Sequence, residues 1–127
     1  MAPNIIAHSR VLIAGRWQEE SAPRSSFSAV NPQTGVESSE RFPVSGVETL
    51  EAALVAGQQA ARDLASVEPA RIAAFLERYA TEIEAKSAAL VDAAHEETGL
   101  PKEPRLRNVE LPRTTAQLRA AATAARE

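Results

Sequence analysis

The chain has 127 residues, carries a formal net charge of −3 and contains no cysteine, which excludes disulfides, thiolate metal sites and a cysteine nucleophile within it. The weak negative charge offers no basic surface for nucleic acid or an anionic membrane, and no apolar run approaches the roughly 20 residues of a membrane span. We therefore expect a cytoplasmic protein without nucleic-acid or membrane partners.

Alanine supplies much of the apolar content and limits the core. The hydrophobic fraction is 44%, whereas aromatic residues make up only 4%. A buried alanine removes little apolar area from water, although it allows helices to pack closely. The composition predicts a thin core whose helices need partners from further chain or from other subunits.

Residues 1–10 are expected to be a flexible start, and residues 11–44 read as β-hairpins. The apolar run Val11–Ile13 is followed by a glycine-containing bend, predicted over Ala14–Arg16. Trp17 lies just beyond that bend, which predicts a second short strand.

A polar stretch and a second chain reversal follow. Ser21–Ser28 is polar and is expected to be a surface loop. Asn31–Gly35 predicts a turn, because Pro32 presets one turn dihedral and Gly35 supplies a positive φ. Apolar sequence resumes at Val36.

The first helix is predicted over about residues 46–65. Ser45 and Glu48 have the spacing of a capping box, in which each side chain satisfies a backbone donor of the other residue. Leu50–Leu64 then shows helical spacing of apolar residues beside a strip of alanines. Gly57 costs about 1 kcal/mol against alanine, so we expect another backbone or side chain to approach the helix there.

A long second helix is predicted over residues 69–98, with Pro69 in its first turn and Gly99 as its C-cap. It has the strongest periodic signal in the chain, an apolar stripe opposite a charged face. The stripe consists of Ile72, Phe75, Leu76, Tyr79, Ile83, Leu90 and Ala94.

A third helix is predicted over residues 109–127, where Pro112 either kinks the helix or starts its last segment. The chain stops at Glu127 in alanine-rich helical sequence without a terminating residue, which indicates a cut. The predicted fold class is mainly α with an N-terminal β-hairpin layer.

Residues that carry chemistry are sparse. His8 and His95 belong to no metal-ligand pair, so both are expected to be structural, with a positive charge at His95 favoured near a helix C-terminus. None of the five glycines belongs to a phosphate-binding loop of either common pattern. We therefore expect no complete active site in this chain alone.

Taken in order, these elements resemble the amino-terminal part of the aldehyde dehydrogenase superfamily, over residues 12–126. Ile13-Ala14-Gly15-Arg16-Trp17 is similar to the family's I-x-G-x-W hairpin, and Asn31–Gly35 to its NP-x-TG turn. Glu96–Pro101 is similar to its E-x-G-x-P helix end. Glu110–Arg119, with the pattern E-x-x-R-T-x-x-Q-L-R, looks like the branch of 2,5-dioxovalerate (α-ketoglutaric semialdehyde) dehydrogenases and NADP-linked fatty aldehyde dehydrogenases.

The resemblance implies that residues 11–127 are part of an α/β cofactor domain in an enzyme that oxidises an aldehyde to a carboxylate with NAD or NADP. In that family a cysteine thiolate attacks the aldehyde, hydride passes to the nicotinamide and a glutamate activates water. Those groups lie beyond Glu127 in the family's order. The chain is therefore expected to be an inactive scaffold segment, with the remainder of the enzyme and other subunits of a homo-oligomer as partners.

Two candidate sites follow from the resemblance. Arg113 would lie on the helix that helps to line the family's substrate entrance, where its guanidinium would pair with the distal carboxylate of a dioxo acid. The plainer interpretation of Arg113 is an exposed surface residue. A structural monovalent cation would be bound by the backbone carbonyl near Val30 and the carboxylate of Glu97, since oxygen ligands suit such an ion.

A rival interpretation belongs to a different functional class. The alanine strips of Leu50–Leu64 and Leu111–Ala125 would bind a partner helix in a stand-alone protein-interaction module. This alternative implies no enzyme and no cofactor.

Overall fold

The computed structural model describes residues 10–20 and 24–127, which form two compact units. The first unit contains the described residues up to Val30 together with residues 36–66, and the second contains residues 31–35 and 67–127. The predicted flexible start, including His8, lies outside the described residues except for Arg10, which is already in a strand.

The first hairpin confirms the predicted strand, turn and strand. β1 (Arg10–Ile13) pairs antiparallel with β2 (Arg16–Glu19). The turn contains only Ala14 and Gly15, with φ of 51° and 74°, so the predicted bend is one residue too long. Two positive φ values give the turn a twist that matches the right-handed twist of the strands.

A second hairpin corrects the prediction of a polar loop for residues 25–27, whereas residues 21–23 of that predicted loop lie outside the described residues. β3 (Ser25–Phe27) pairs antiparallel with β4 (Phe42–Val44). The rings of Phe27 and Phe42 lie opposite each other, with centroids 5.4 Å apart. β3 forms its backbone hydrogen bonds with β4, which is distant in sequence. The polar local sequence of β3 does not reveal that it has a strand partner.

α1 (Val47–Leu64) lies close to its predicted limits, but the predicted capping box is wrong. The N-cap residue is Gly46, and no side chain caps the helix. The helix start is instead tied to the end of the first hairpin, because Thr49 Oγ1 donates a hydrogen bond of 2.9 Å to Glu20 Oε1. The expected close approach at Gly57 is also wrong for the described residues, since a Cβ there would meet nothing within 4 Å.

The predicted single helix over residues 69–98 is two helices, α2 (Pro69–Ala85) and α3 (Ser87–Thr98). They are separated at Lys86, whose φ of −104° and ψ of 14° depart from helical values. Glycine and proline, the usual signals of a break, are absent at this point, so the local sequence does not reveal it. Pro69 starts α2, and Gly99 ends α3 with a φ of 69°, as predicted.

Between α3 and the last helix lies Lys102–Glu110, here called the connector. Its helical conformation is interrupted at Glu103, which has φ of −128° and ψ of 142°. Beyond Glu103 the chain forms one wide turn, in which Leu111 N donates a hydrogen bond to Leu106 O, five residues back. α4 (Leu111–Ala124) follows, with Pro112 in its first turn. Of the two alternatives for Pro112, the structure shows a helix start, and the helix ends three residues before the predicted limit.

α2 packs against α4 through small side chains. Ala73 and Ala80 of α2 and Ala122 of α4 are completely buried, and Thr115 of α4 is 3% exposed. By contrast, Phe75 and Tyr79 of the predicted apolar stripe are 64% and 50% exposed. A row of alanines brings the two helix backbones together and leaves the larger rings at the side of the contact.

Two ion pairs join α2 to α4 and to the residues just after α4. Arg119 holds Glu84 with both nitrogens of its fork, at 2.6 and 2.8 Å, and Arg126 Nη2 lies 2.8 Å from Glu77 Oε1. The hydrogen bond from Arg119 lowers the pKa of Glu84, with a smaller contribution from the Thr115 hydroxyl. The charges therefore set the register of two helices whose buried surfaces are small.

The turn Asn31–Gly35 belongs to the second unit and packs on the end of α3. Asn31 Oδ1 accepts hydrogen bonds from the backbone N–H of Gln33 at 2.9 Å and of Thr34 at 3.2 Å, which shapes the turn. Gln33 then covers Gly99 so closely that a Cβ on Gly99 would lie 2.6 Å from Gln33 Cγ.

We predict that Gly99→Ala destabilises the protein and that Gly57→Ala stabilises it. An alanine at position 99 would have to adopt a left-handed backbone, at a cost of about 1–2 kcal/mol, and would also collide with Gln33. Gly57 lies in α1 with open space around it, so alanine should add about 0.5–1 kcal/mol. Urea unfolding of both variants measures the two changes; equal changes would contradict the role assigned to Gly99.

We also predict that Glu84→Gln removes a pH-dependent part of the stability. Because the folded pKa of Glu84 is lowered, its stabilisation is complete above the unfolded pKa of about 4.3 and is lost as the pH falls through the folded pKa. The unfolding temperatures of wild type and variant should therefore differ at pH 7 and converge as the pH falls through the lowered pKa of folded Glu84. Glu82→Gln is the control, since Glu82 pairs with Arg78 within α2. A difference that stays constant with pH would contradict the prediction.

Candidate functional site

The second unit contains an open groove of about 360 Å³ between α2, α3, the connector and α4. Its walls are mainly apolar, and apart from the Tyr79 hydroxyl of α2 its polar side chains come from the last turn of the connector and the first turn of α4. The lining residues are Tyr79, Ile83, Leu90, Val91, Ala94, Leu106, Glu110, Leu111 and Thr114. An apolar groove with a few polar groups at one end is typical of ligand sites.

Glu110 is the charged residue of this groove, and two arginines hold it. Arg105 Nη2 lies 2.5 Å from Glu110 Oε1, and Arg113 Nη2 lies 3.0 Å from Glu110 Oε2. The Glu110 side chain is 22% exposed, whereas both arginines are more than half exposed. Two guanidinium groups and one carboxylate leave one net positive charge at the end of the groove.

Arg113 lies in the first turn of α4, beside the groove. Its side chain is 66% exposed and pairs with a residue three positions earlier in the chain. This exposure agrees with the plainer interpretation of a surface residue, and it also leaves the guanidinium accessible to a ligand. Chemically, the position allows it to bind a carboxylate.

Arg105 is the residue of this group that the sequence analysis missed. It is separated from Glu110 by five positions, a spacing that does not bring side chains together on an ordinary α-helix. The wide turn at the end of the connector brings the two side chains together. An arginine and a glutamate five positions apart predict no ion pair unless such a turn is already known.

The two residues of the predicted cation site lie in different units. Val30 is in the first unit, forms a β-bridge with Glu37 and is 48% exposed. Glu97 is exposed in the last turn of α3, in the second unit. Within residues 10–20 and 24–127, no group of three or more His, Cys, Asp or Glu residues is placed to hold a metal ion.

His95 has a local structural contact. It lies in the last turn of α3, and its Nδ1 is 2.7 Å from the carbonyl oxygen of Leu100. Nearby, Lys102 Nζ contacts Asp92 Oδ1 at 2.6 Å, and this hydrogen bond lowers the pKa of Asp92. The Lys102–Asp92 pair joins the start of the connector to α3, and the His95–Leu100 contact fixes the chain just before the connector.

None of the helices in the described part of the chain is both long enough and apolar enough to span a membrane.

Comparison with known proteins identifies a family by sequence and similar folds among solved structures. Residues 17–127 match the model of the aldehyde dehydrogenase family. The crystal structure of an NAD-dependent benzaldehyde dehydrogenase from Corynebacterium glutamicum is similar, with a TM-score of 0.83 and 20% identity over 96% of this chain. PnpE in complex with nicotinamide adenine dinucleotide is similar as well, with a TM-score of 0.82 and 24% identity over 94% of this chain.

The chain spans about a quarter of those two proteins, 26% of the first and 24% of the second. At such identities the likeness shows the fold, and it confirms the predicted fold class, a mainly helical part of this type of domain with small N-terminal hairpins. A comparison with curated proteins gave no match.

Proposed function

The chain belongs to the aldehyde dehydrogenase family, and from that premise we propose that it is the amino-terminal part of an NAD(P)-dependent enzyme that oxidises an aldehyde to a carboxylate. The observation that carries this proposal is the family match over residues 17–127. The enzyme is proposed to be a cytoplasmic homo-oligomer in which this segment contributes scaffold.

Exposed apolar surface supports the role of scaffold. α1 buries none of its 18 residues. Leu50, Leu54 and Val55 on this helix are 56%, 63% and 68% exposed. Contiguous apolar surface of this kind marks a contact with other protein, here proposed to be the remainder of the enzyme or another subunit.

The residues of this chain do not fit the nicotinamide cofactor by themselves. The sequence contains no glycine-rich phosphate-binding loop, and the groove of the second unit is apolar with a carboxylate at one end. A cysteine nucleophile is likewise absent from the sequence. We therefore assign this chain no step of hydride transfer and propose that it is inactive alone.

The proposed substrate is an aldehyde with a distal carboxylate, for which 2,5-dioxovalerate is the candidate. The exposed guanidinium of Arg113 beside the groove supports this choice, and so does the net positive charge of its cluster. A guanidinium binds a carboxylate through two parallel hydrogen bonds when the geometry allows. Neutral fatty aldehydes, the other substrate of the suggested branch, would make no use of that charge.

The rival function, a stand-alone interaction module, is supported by α1 and opposed by α4. The exposed apolar residues of α1 would suit a partner helix. In α4, by contrast, Ala122 is already buried within the second unit. The family match therefore favours the enzyme segment.

We predict that the complete enzyme oxidises acidic aldehydes with NAD or NADP and that Arg113→Ala weakens this preference. Loss of a partly exposed charged hydrogen bond should raise KM for 2,5-dioxovalerate about five- to tenfold, with little change for a neutral aldehyde of equal length. Steady-state kinetics with both substrates measure the change. No turnover with any aldehyde would contradict the proposed activity, and an unchanged preference in the variant would contradict the role of Arg113.

We further propose that the backbone near Val30 and the carboxylate of Glu97 bind a monovalent cation. In that case Glu97→Gln should lower the thermal stability of the complete enzyme in sodium or potassium, since the amide has no charge to offer the ion. When a large organic cation that cannot enter such a site replaces sodium and potassium in the buffer, wild type and variant should have equal thermal stability. Stability indifferent to sodium and potassium in the wild type would rule the site out.

A further inference from the structure

The groove of the second unit has a second arginine at its charged end. Arg105 comes from the connector and Arg113 from α4, and they contact different oxygens of Glu110. Because one carboxylate joins them, the two Nη2 atoms lie closer together than the Debye length of about 8 Å at physiological ionic strength. An anion that reaches Arg113 therefore also feels the charge of Arg105.

Arg105 also affects how strongly Glu110 competes for Arg113. With both arginines present, the carboxylate divides its charge between two guanidinium groups. Without Arg105, the whole negative charge of Glu110 would fall on Arg113 and oppose an incoming carboxylate. Arg105 therefore favours binding of an anion in two ways: its own charge attracts the anion, and its contact with Glu110 reduces the repulsion from that carboxylate.

Other arginines of the second unit do not share this arrangement. Arg107 lies in the same connector, but its Nε pairs with Glu103 at 3.1 Å. Arg119 and Arg126 form ion pairs with Glu84 and Glu77 of α2. The ion-pair partners of these three arginines, Glu103, Glu84 and Glu77, do not line the groove.

We propose that Arg105 is a second specificity-determining residue for an anionic substrate, acting with Arg113 on the distal carboxylate at the end of the groove. The proposal rests on the proposed function, since it takes the substrate to be an aldehyde that carries a carboxylate. Arg105 contributes charge and lowers the competition from Glu110, while the apolar walls receive the carbon chain. Its role is in binding and not in the chemical step.

The test compares Arg105→Gln, Arg105→Lys and Arg107→Gln in the complete enzyme, assayed with 2,5-dioxovalerate and with a neutral aldehyde of equal length. Arg105→Gln should raise KM for the acidic aldehyde about three- to tenfold and leave its kcat nearly unchanged. Arg105→Lys should retain most of the affinity, because it keeps the charge. Arg107→Gln removes the same charge from the same segment and should change KM less than about twofold, the size of an exposed pair's contribution.

The outcomes separate this proposal from the role of Arg113. An unchanged KM in Arg105→Gln would overturn it, and so would an equal rise in Arg107→Gln, which would indicate only a general charge effect. If Arg113→Ala keeps the acidic preference while Arg105→Gln loses it, the assignment of Arg113 fails and that of Arg105 stands. Unchanged turnover of the neutral aldehyde shows that a variant is folded. If Arg105→Gln and Arg105→Lys both lose activity with both aldehydes, Arg105 is needed for folding and the proposal is rejected.

Discussion

The close contact between α2 and α4 is the constraint on which the second unit depends. Three completely buried alanines and one nearly buried threonine allow it. Side chains this small contribute little hydrophobic free energy, since that term is proportional to the apolar area removed from water. The Glu84–Arg119 and Glu77–Arg126 pairs lie at the half-exposed edge of this contact, where an ion pair usually contributes about 0–1 kcal/mol, and they favour one register of the packed helices.

That helix pair provides two walls of the groove, and the connector provides the end where charge collects. The wide turn at the end of the connector brings Arg105 within hydrogen-bond distance of Glu110, and the first turn of α4 brings Arg113 to the same carboxylate. The result is a partly buried carboxylate with two exposed guanidinium groups beside apolar walls. Recognition of a small acidic molecule is the chemistry that this geometry supports.

The large exposed apolar surface and the family match have a common explanation in the proposed function. Under the proposed function, a chain that spans a quarter of its structural relatives is expected to present apolar surfaces that the complete enzyme buries. The exposed leucines of α1 and the exposed ring of Phe75 are expected to be surfaces of this kind. Under the proposed function, these surfaces contact other parts of the same enzyme. This explains why the sequence forms many helices but contains few residues that could take part in catalysis.

The sequence by itself determined the elements whose signals are local. The Ala14–Gly15 turn, the Pro69 start of α2 and the Gly99 end of α3 follow from glycine and proline backbone preferences, and all three are present in the structure. Tertiary structure alone decided the pairing of β3 with β4, the break at Lys86 and the meeting of Arg105 with Glu110. The strand pairing depends on residues that are distant in sequence, and the Arg105–Glu110 contact depends on a wide turn without a residue signature. The break at Lys86 has neither the glycine nor the proline that would mark it in the sequence.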